Sequence, residues 1–132
     1  MRFMGHNALA IFVAALAIYL IEFVIFAVLM SPEQYQGMSG YAASADGAAR
    51  MPWGIAPPIL AAIGLSLAIK WRDRPGWMSG ALTGVMMAIF FGVGVSLYSY
   101  VYGPNTGAFV GIDVAHFAVC YAVAGAILGA WK

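Results

Sequence analysis

Four apolar stretches dominate this chain, at residues 7–30, 53–69, 76–102 and 108–131, and each is close to the length that crosses a bilayer. A hydrocarbon core takes about 20 helical residues, and the first stretch is broken only by Glu22. Helices are the fold expected for them, because an isolated hairpin cannot satisfy its backbone in lipid. A barrel would need polar and apolar residues to alternate, and these runs do not alternate. Composition agrees: 64% of the residues are hydrophobic and only 8% are charged, against about a quarter charged in a soluble domain. Too few charges remain to coat a water-facing surface, so the lipid bilayer is the expected partner. The expected fold is an all-α membrane protein, a single four-transmembrane-helix bundle over residues 1–132. Short connections after the second and third spans make spans two, three and four antiparallel neighbours.

Orientation follows from the basic residues. Arg2, Lys70, Arg72, Arg74 and Lys132 fall on one side of the spans, and only Arg50 on the other. Basic residues close to span ends favour the cytoplasm, so both termini and the loop from Lys70 to Pro75 are expected there, in an inner membrane. Trp53, Trp71, Trp77, Trp131, Tyr98, Tyr100 and Tyr102 gather at span ends, as interfacial anchors do. Ala43-Ser44-Ala45 resembles a signal-peptidase site. The apolar run before it is longer than a signal core and ends well short of that site, so an uncleaved anchor is expected. In the outer loop, Ser31-Pro32-Glu33 has cap, proline and acid in helix-starting order. Gly103-Pro104-Asn105-Thr106-Gly107 reads as a tight turn. Pro57 and Pro58 are expected to leave carbonyls near Trp53 and Gly54 without helical donors.

Several function classes find no support. A formal charge of +1 offers no clustered basic face for nucleic acid. The lone cysteine, Cys120, lies in an apolar run and permits neither an intramolecular disulfide nor a cysteine-rich metal site. No nucleophile elbow, phosphate loop, zinc-protease helix or haem-type histidine pair occurs. The chain is therefore not read as an enzyme, and the residues indicate no particular cofactor.

Helices in lipid associate through close packing and polar contacts. Gly76, Gly80 and Gly84 place bare backbone on one stripe of span three. Span four carries Gly111, Ala115, Ala118, Ala122, Gly125 and Gly129 at alternating spacings of four and three. The two stripes can pack on each other, or one can serve a homo-oligomer contact.

Charges inside a span are expensive and usually face protein or a wet cavity. Glu22 in span one and Asp113 in span four qualify, and His116 follows Asp113 by three residues, on the same helical face. Cys120 continues that face nearly opposite the small-residue stripe, which makes span four a central helix. Counting from the span ends at 1.5 Å per residue, Glu22 lies about 12 Å deep, and Asp113 and His116 roughly 9 and 14 Å. Tyr19 lies one turn before Glu22, and Ser96 and Ser99 on span three lie at comparable depth. These six residues, Tyr19, Glu22, Ser96, Ser99, Asp113 and His116, outline a candidate polar pocket in the outer half of the membrane. Burial favours a neutral carboxyl, and an imidazole changes charge near neutral pH, with Asp113 placed to orient it. A proton, an ion or a small molecule is the expected ligand. The alternative is an accessory subunit of a larger complex, in which the same residues form a packing network. No metal site is assigned, because zinc normally recruits several His or Cys ligands.

The last span, with Ile112-Asp113-Val114-Ala115-His116-Phe117 and a close on Gly125-Ala126-Ile127-Leu128-Gly129-Ala130-Trp131-Lys132, resembles the closing helix of a bacterial family known as domain of unknown function 1761. Gly80 and Gly84 fit more loosely. Span one departs, with Phe23-Val24-Ile25-Phe26 and Ser31-Pro32 where that family tends to carry Trp-Tyr and a proline. The resemblance implies a short four-span membrane protein and directs attention to His116. It brings no activity and says nothing of Glu22.

Overall fold

A computed structural model describes residues 2–3, 6–42 and 46–131 of the chain. The cleavage-like Ala43-Ser44-Ala45 and the terminal Lys132 lie outside them. Apart from a two-rung hairpin, β1 (Arg2–Phe3) with β2 (His6–Asn7), the described elements are helices.

Four helical stretches are long and apolar enough to cross a membrane: Ala8–Val28, Met51–Arg72, Trp77–Tyr102 and Gly107–Ala130. The first comprises α1 (Ala8–Phe23) and a π-helical turn, Val24–Val28. It starts at Asn7, whose side-chain oxygen accepts from the amides of Leu9 and Ala10, satisfying two of the amides that a helix start leaves free. The outer loop holds α2 (Pro32–Ser39) and the single turn α3 (Gly47–Arg50). Ser31 and Gln34 close a reciprocal capping box on α2, and Gly40 ends it in the left-handed region at φ 69°.

The second stretch opens as a 3₁₀ turn, Met51–Ile55, and becomes α4 (Ala56–Arg72). This corrects part of the expectation for the prolines. Pro57 and Pro58 occupy the first turn of α4, where a missing amide costs nothing, and the Trp53 carbonyl accepts from the Ala56 amide through the 3₁₀ turn. Lys70 and Arg72 sit in the last turn of α4, where cations suit the helix dipole. The third stretch joins α5 (Trp77–Met87), a π-helical segment Ala88–Val93, and α6 (Gly94–Tyr102). The fourth is a single uninterrupted helix, α7 (Gly107–Ala130), capped by the Thr106 hydroxyl accepting from the Phe109 amide.

The α7 helix touches α1, α2, α4, α5 and α6, and so lies at the centre. One core joins Ala10, Ala14, Ala15 and Ile18 of α1, Ala62 and Leu65 of α4, and Cys120, Ala124 and Leu128 of α7. Small residues dominate it, as expected where backbones must approach closely to gain dispersion contact. The closest approach is between α5 and α7. A Cβ added at Gly80 would overlap the carbonyl of Gly125, and one at Gly84 the carbonyl of Tyr121. The Gly76 amide even donates to the Gly129 carbonyl at 2.9 Å. Only part of the α7 stripe is used this way. Gly111 and Ala115 are exposed, and nothing among the described residues lies within 4 Å of a Cβ added at Gly111.

The π segments explain how two helices keep one face inward. Gly80, Gly84, Ala88, Gly92 and Ser96 are all buried at a spacing of four. In a regular α-helix four residues turn 400°, so four such steps drift by about 160°. Ser96 would then face away from Gly80. A π turn, bonded i→i+5, takes more residues per turn and cancels much of that drift. Ala10, Ala14, Ile18, Glu22 and Phe26 repeat the same spacing on the first span, and its π turn falls at Val24–Val28.

Candidate functional site

The inward face of the first span carries Glu22, and the central helix carries His116 opposite it. Nε2 of His116 lies 3.3 Å from Oε1 of Glu22, a hydrogen bond donated by the imidazole when that nitrogen holds the proton. His116 is buried, whereas the Glu22 side chain keeps 30% of its surface exposed. One turn towards the start of α7, an Asp113 carboxylate oxygen accepts from the Ser96 hydroxyl at 3.0 Å. Cys120, one turn further along α7, is buried beside the Ile18 carbonyl. The polar residues therefore bridge the first and fourth spans at one point and the third and fourth at another.

Three expectations for the pocket need correction. Asp113 does not orient His116: its short side chain is spent on Ser96, while the imidazole swings across to span one. Nδ1 of His116 is consequently buried with no hydrogen-bond partner among the described residues. Tyr19 is exposed and makes no hydrogen bond among the described residues, because the inward face of the first span runs through Ile18, Glu22 and Phe26 and leaves Tyr19 to one side. Ser99 is not brought to the cluster either; its carbonyl serves the end of α6 by accepting from the Gly103 amide at 3.1 Å. Glu22, Ser96, Asp113 and His116 remain as the site.

Above them lies an aromatic cap that sequence reading missed. The His116 ring meets Phe26 edge-on at 5.0 Å and Phe117 at 4.8 Å between centroids. Phe26 in turn touches Tyr35 and Phe109, which stack edge-to-face at 5.5 Å. Tyr35 comes from α2, so the outer-loop helix roofs the histidine. Burial, and secondarily the Asp113 charge, push the Tyr35 phenol above its ordinary 10.0, so it stays neutral. The roof is pinned at its far end, where the Thr106 amide and hydroxyl both donate to the Met38 carbonyl, at 3.0 and 2.8 Å. Gly40 is required there: its positive φ aside, any Cβ would collide with Pro104. The available signal for this roof was the capping box, which announces α2, together with the four-residue spacing of Glu22 and Phe26.

No three His, Cys, Asp or Glu side chains gather as an ion site among the described residues. Compared with known proteins, the chain matches no family profile, no characterised sequence and no solved structure. The reading of function therefore stands on the geometry.

Proposed function

We propose that this is a multi-pass protein of a bacterial inner membrane that takes up a proton or a small polar solute at the Glu22–His116 pair, as a binding rather than a catalytic protein. The observation carrying this is the buried imidazole, with one nitrogen on an intramembrane carboxylate and the other, Nδ1, unpartnered. Leaving a buried polar atom unsatisfied costs about 1–3 kcal/mol, a cost that a bound proton-carrying or hydrogen-bonding guest relieves. The partial exposure of Glu22 supplies the route.

Neighbouring spans run antiparallel and both termini lie in the cytoplasm in this proposal, supported by Lys70, Arg72 and Arg74 clustering in one connection. Arg50, on the opposite side, is already paired with Asp46 at 3.5 Å. Membership of the domain of unknown function 1761 family belongs to the same proposal, resting on the Asp113–His116 segment and the glycine-rich end of α7. Transporters usually show repeated halves and this chain shows none, so a transport role would need a second copy, for which the exposed Gly111 and Ala115 are the available small face.

The test is infrared difference spectroscopy of the purified protein as pH is changed, read in the carboxyl and imidazole bands. In a His6→Gln background we expect a protonation signal in those bands that Glu22→Gln and His116→Ala both abolish while helix content is unchanged. A titration untouched by either substitution would sink the proposal.

A second reading has its own support. The Glu22–His116 and Ser96–Asp113 contacts tie three spans together, as a packing network in an accessory subunit would. Under it, both substitutions lower thermal stability or assembly and no protonation signal depends on Glu22 and His116.

A further inference from the structure

At the opposite end of the molecule from Glu22, the α4–α5 connection carries Arg72, Asp73 and Arg74 in succession. Arg72 is held in place: its guanidinium donates to the Thr83 hydroxyl at 2.6 Å, and that buried hydroxyl donates to the Ser79 carbonyl at 2.8 Å. One such bond leaves four of the five guanidinium donors for other use. Fixed there, Arg72 lines two cavities at once. The first, about 500 Å³, also holds Arg74, Trp77 and Leu82. The second, about 320 Å³, is otherwise walled by apolar groups such as Trp71, Met86 and Phe90, with Thr83 at the guanidinium. Among the described residues neither Arg72 nor Arg74 forms an ion pair with a carboxylate, and Asp73 lines a third cavity together with Lys70 and Arg74.

An apolar track leads away from the two arginines along α5. Met78, Leu82, Met86 and Phe90 are all exposed at four-residue steps, covering about 18 Å at 1.5 Å per residue. That is more than half of a hydrocarbon core roughly 30 Å thick. Guanidiniums alone would suit any anion, and an apolar track alone any lipid tail. Joined at Arg72, they suit a molecule that is anionic at one end and hydrocarbon for the rest. The indoles of Trp71 and Trp77 flank the junction, at the level where such rings meet headgroups. Basic pockets beside membrane helices bind phosphate headgroups on these grounds.

We propose that Arg72 and Arg74 bind the headgroup phosphate of an anionic phospholipid whose acyl chain lies along Met78, Leu82 and Met86 into the smaller cavity. This rests on the reading of the chain as membrane-spanning. The test is native mass spectrometry of the full chain, extracted in mild detergent and offered phosphatidylglycerol or phosphatidylcholine with identical chains. Phosphatidylglycerol should be retained preferentially. Its retention should fall roughly five-fold for each arginine replaced in Arg72→Gln and Arg74→Gln. Met86→Trp, which fills the apolar cavity without altering charge, should also lower it, and millimolar inorganic phosphate should not displace the lipid. Arg74→Gln and Met86→Trp leave the Arg72–Thr83 bond intact, so they decide the matter if Arg72→Gln misfolds. Equal retention of the two lipids, indifference to Met86→Trp, or displacement by free phosphate would each overturn the assignment. A chain washed from membranes by alkaline carbonate would overturn the membrane reading as well; one that stays embedded without preferring the anionic lipid would overturn this site alone.

Discussion

At the scale of single residues, the closest constraint is the glycine contact between α5 and α7. Gly84 lies so near the Tyr121 carbonyl that even a methyl group must push the helices apart. Overpacking of this kind costs about 1–3 kcal/mol, so Gly84→Ala should destabilise by that amount in reversible unfolding in mixed micelles. Gly64, in the middle of α4, has nothing within 4 Å of its added Cβ. There, removing a helix-interior glycine should stabilise by about 0.5–1 kcal/mol. Opposite signs from one chemical change would establish that contact, not propensity, sets the outcome. The Gly76–Gly80–Gly84 stripe was legible as a packing face. Its partner was narrowed to two candidates, the α7 stripe or a second copy, and the structure selects α7; spacing reports which residues share a face and not which helix that face meets. The same limit explains Asp113. Three-residue spacing put it beside His116, but a side chain that short bonds whichever neighbour comes within reach, and Ser96 does.

At the scale of elements, α2 shows how far local chemistry reaches. Cap, proline and acid in Ser31-Pro32-Glu33 announced a helix, and its start is closed by Ser31 and Gln34. Glu33 lies fully exposed at that start, and its own backbone amide, then the Ser31 hydroxyl, hold its carboxyl below the ordinary 4.5. A depressed folded-state value means that the carboxylate supports α2 above 4.5 and that this support is lost as pH falls through the lower folded value. Amide-exchange protection over residues 34–39 should therefore decline in acid below pH 4.5, and Glu33→Gln should flatten that decline. Protection unchanged in the parent protein down to pH 2, about two units below an ordinary glutamate, would contradict it. The π segments are the element-level feature that sequence reading passed over. The signal was present in the five small residues from Gly80 to Ser96, spaced by four for longer than a regular helix can keep on one face.

For the whole molecule, the proposed orientation rests on where the basic residues fall along the sequence relative to the four apolar helices. Fusion of a reporter after Arg74 and after residue 132 should give cytoplasmic signals, and insertion in the Gly103–Gly107 turn a signal from the far side. Replacing Lys70, Arg72 and Arg74 together by Gln should scramble the orientation of part of the population, as scored by accessibility of the same reporters.

The four helical stretches and their apolar character could be read from residue order alone. Each needs only an unbroken apolar run longer than a bilayer core, and backbone hydrogen bonds that close within the helix. The caps at Asn7, Ser31 and Thr106 belong to the same class, since their partners lie within three residues. Which polar groups meet, however, was decided by tertiary structure. Glu22 and His116 are 94 residues apart. Their contact, the desertion of Asp113 to Ser96 and the roof of Tyr35 over Phe26 depend on helix rotation and on where π turns absorb the drift. The π turns leave a trace in four-residue spacing, but the rotation of each helix is set by packing across helices, which no local spacing encodes.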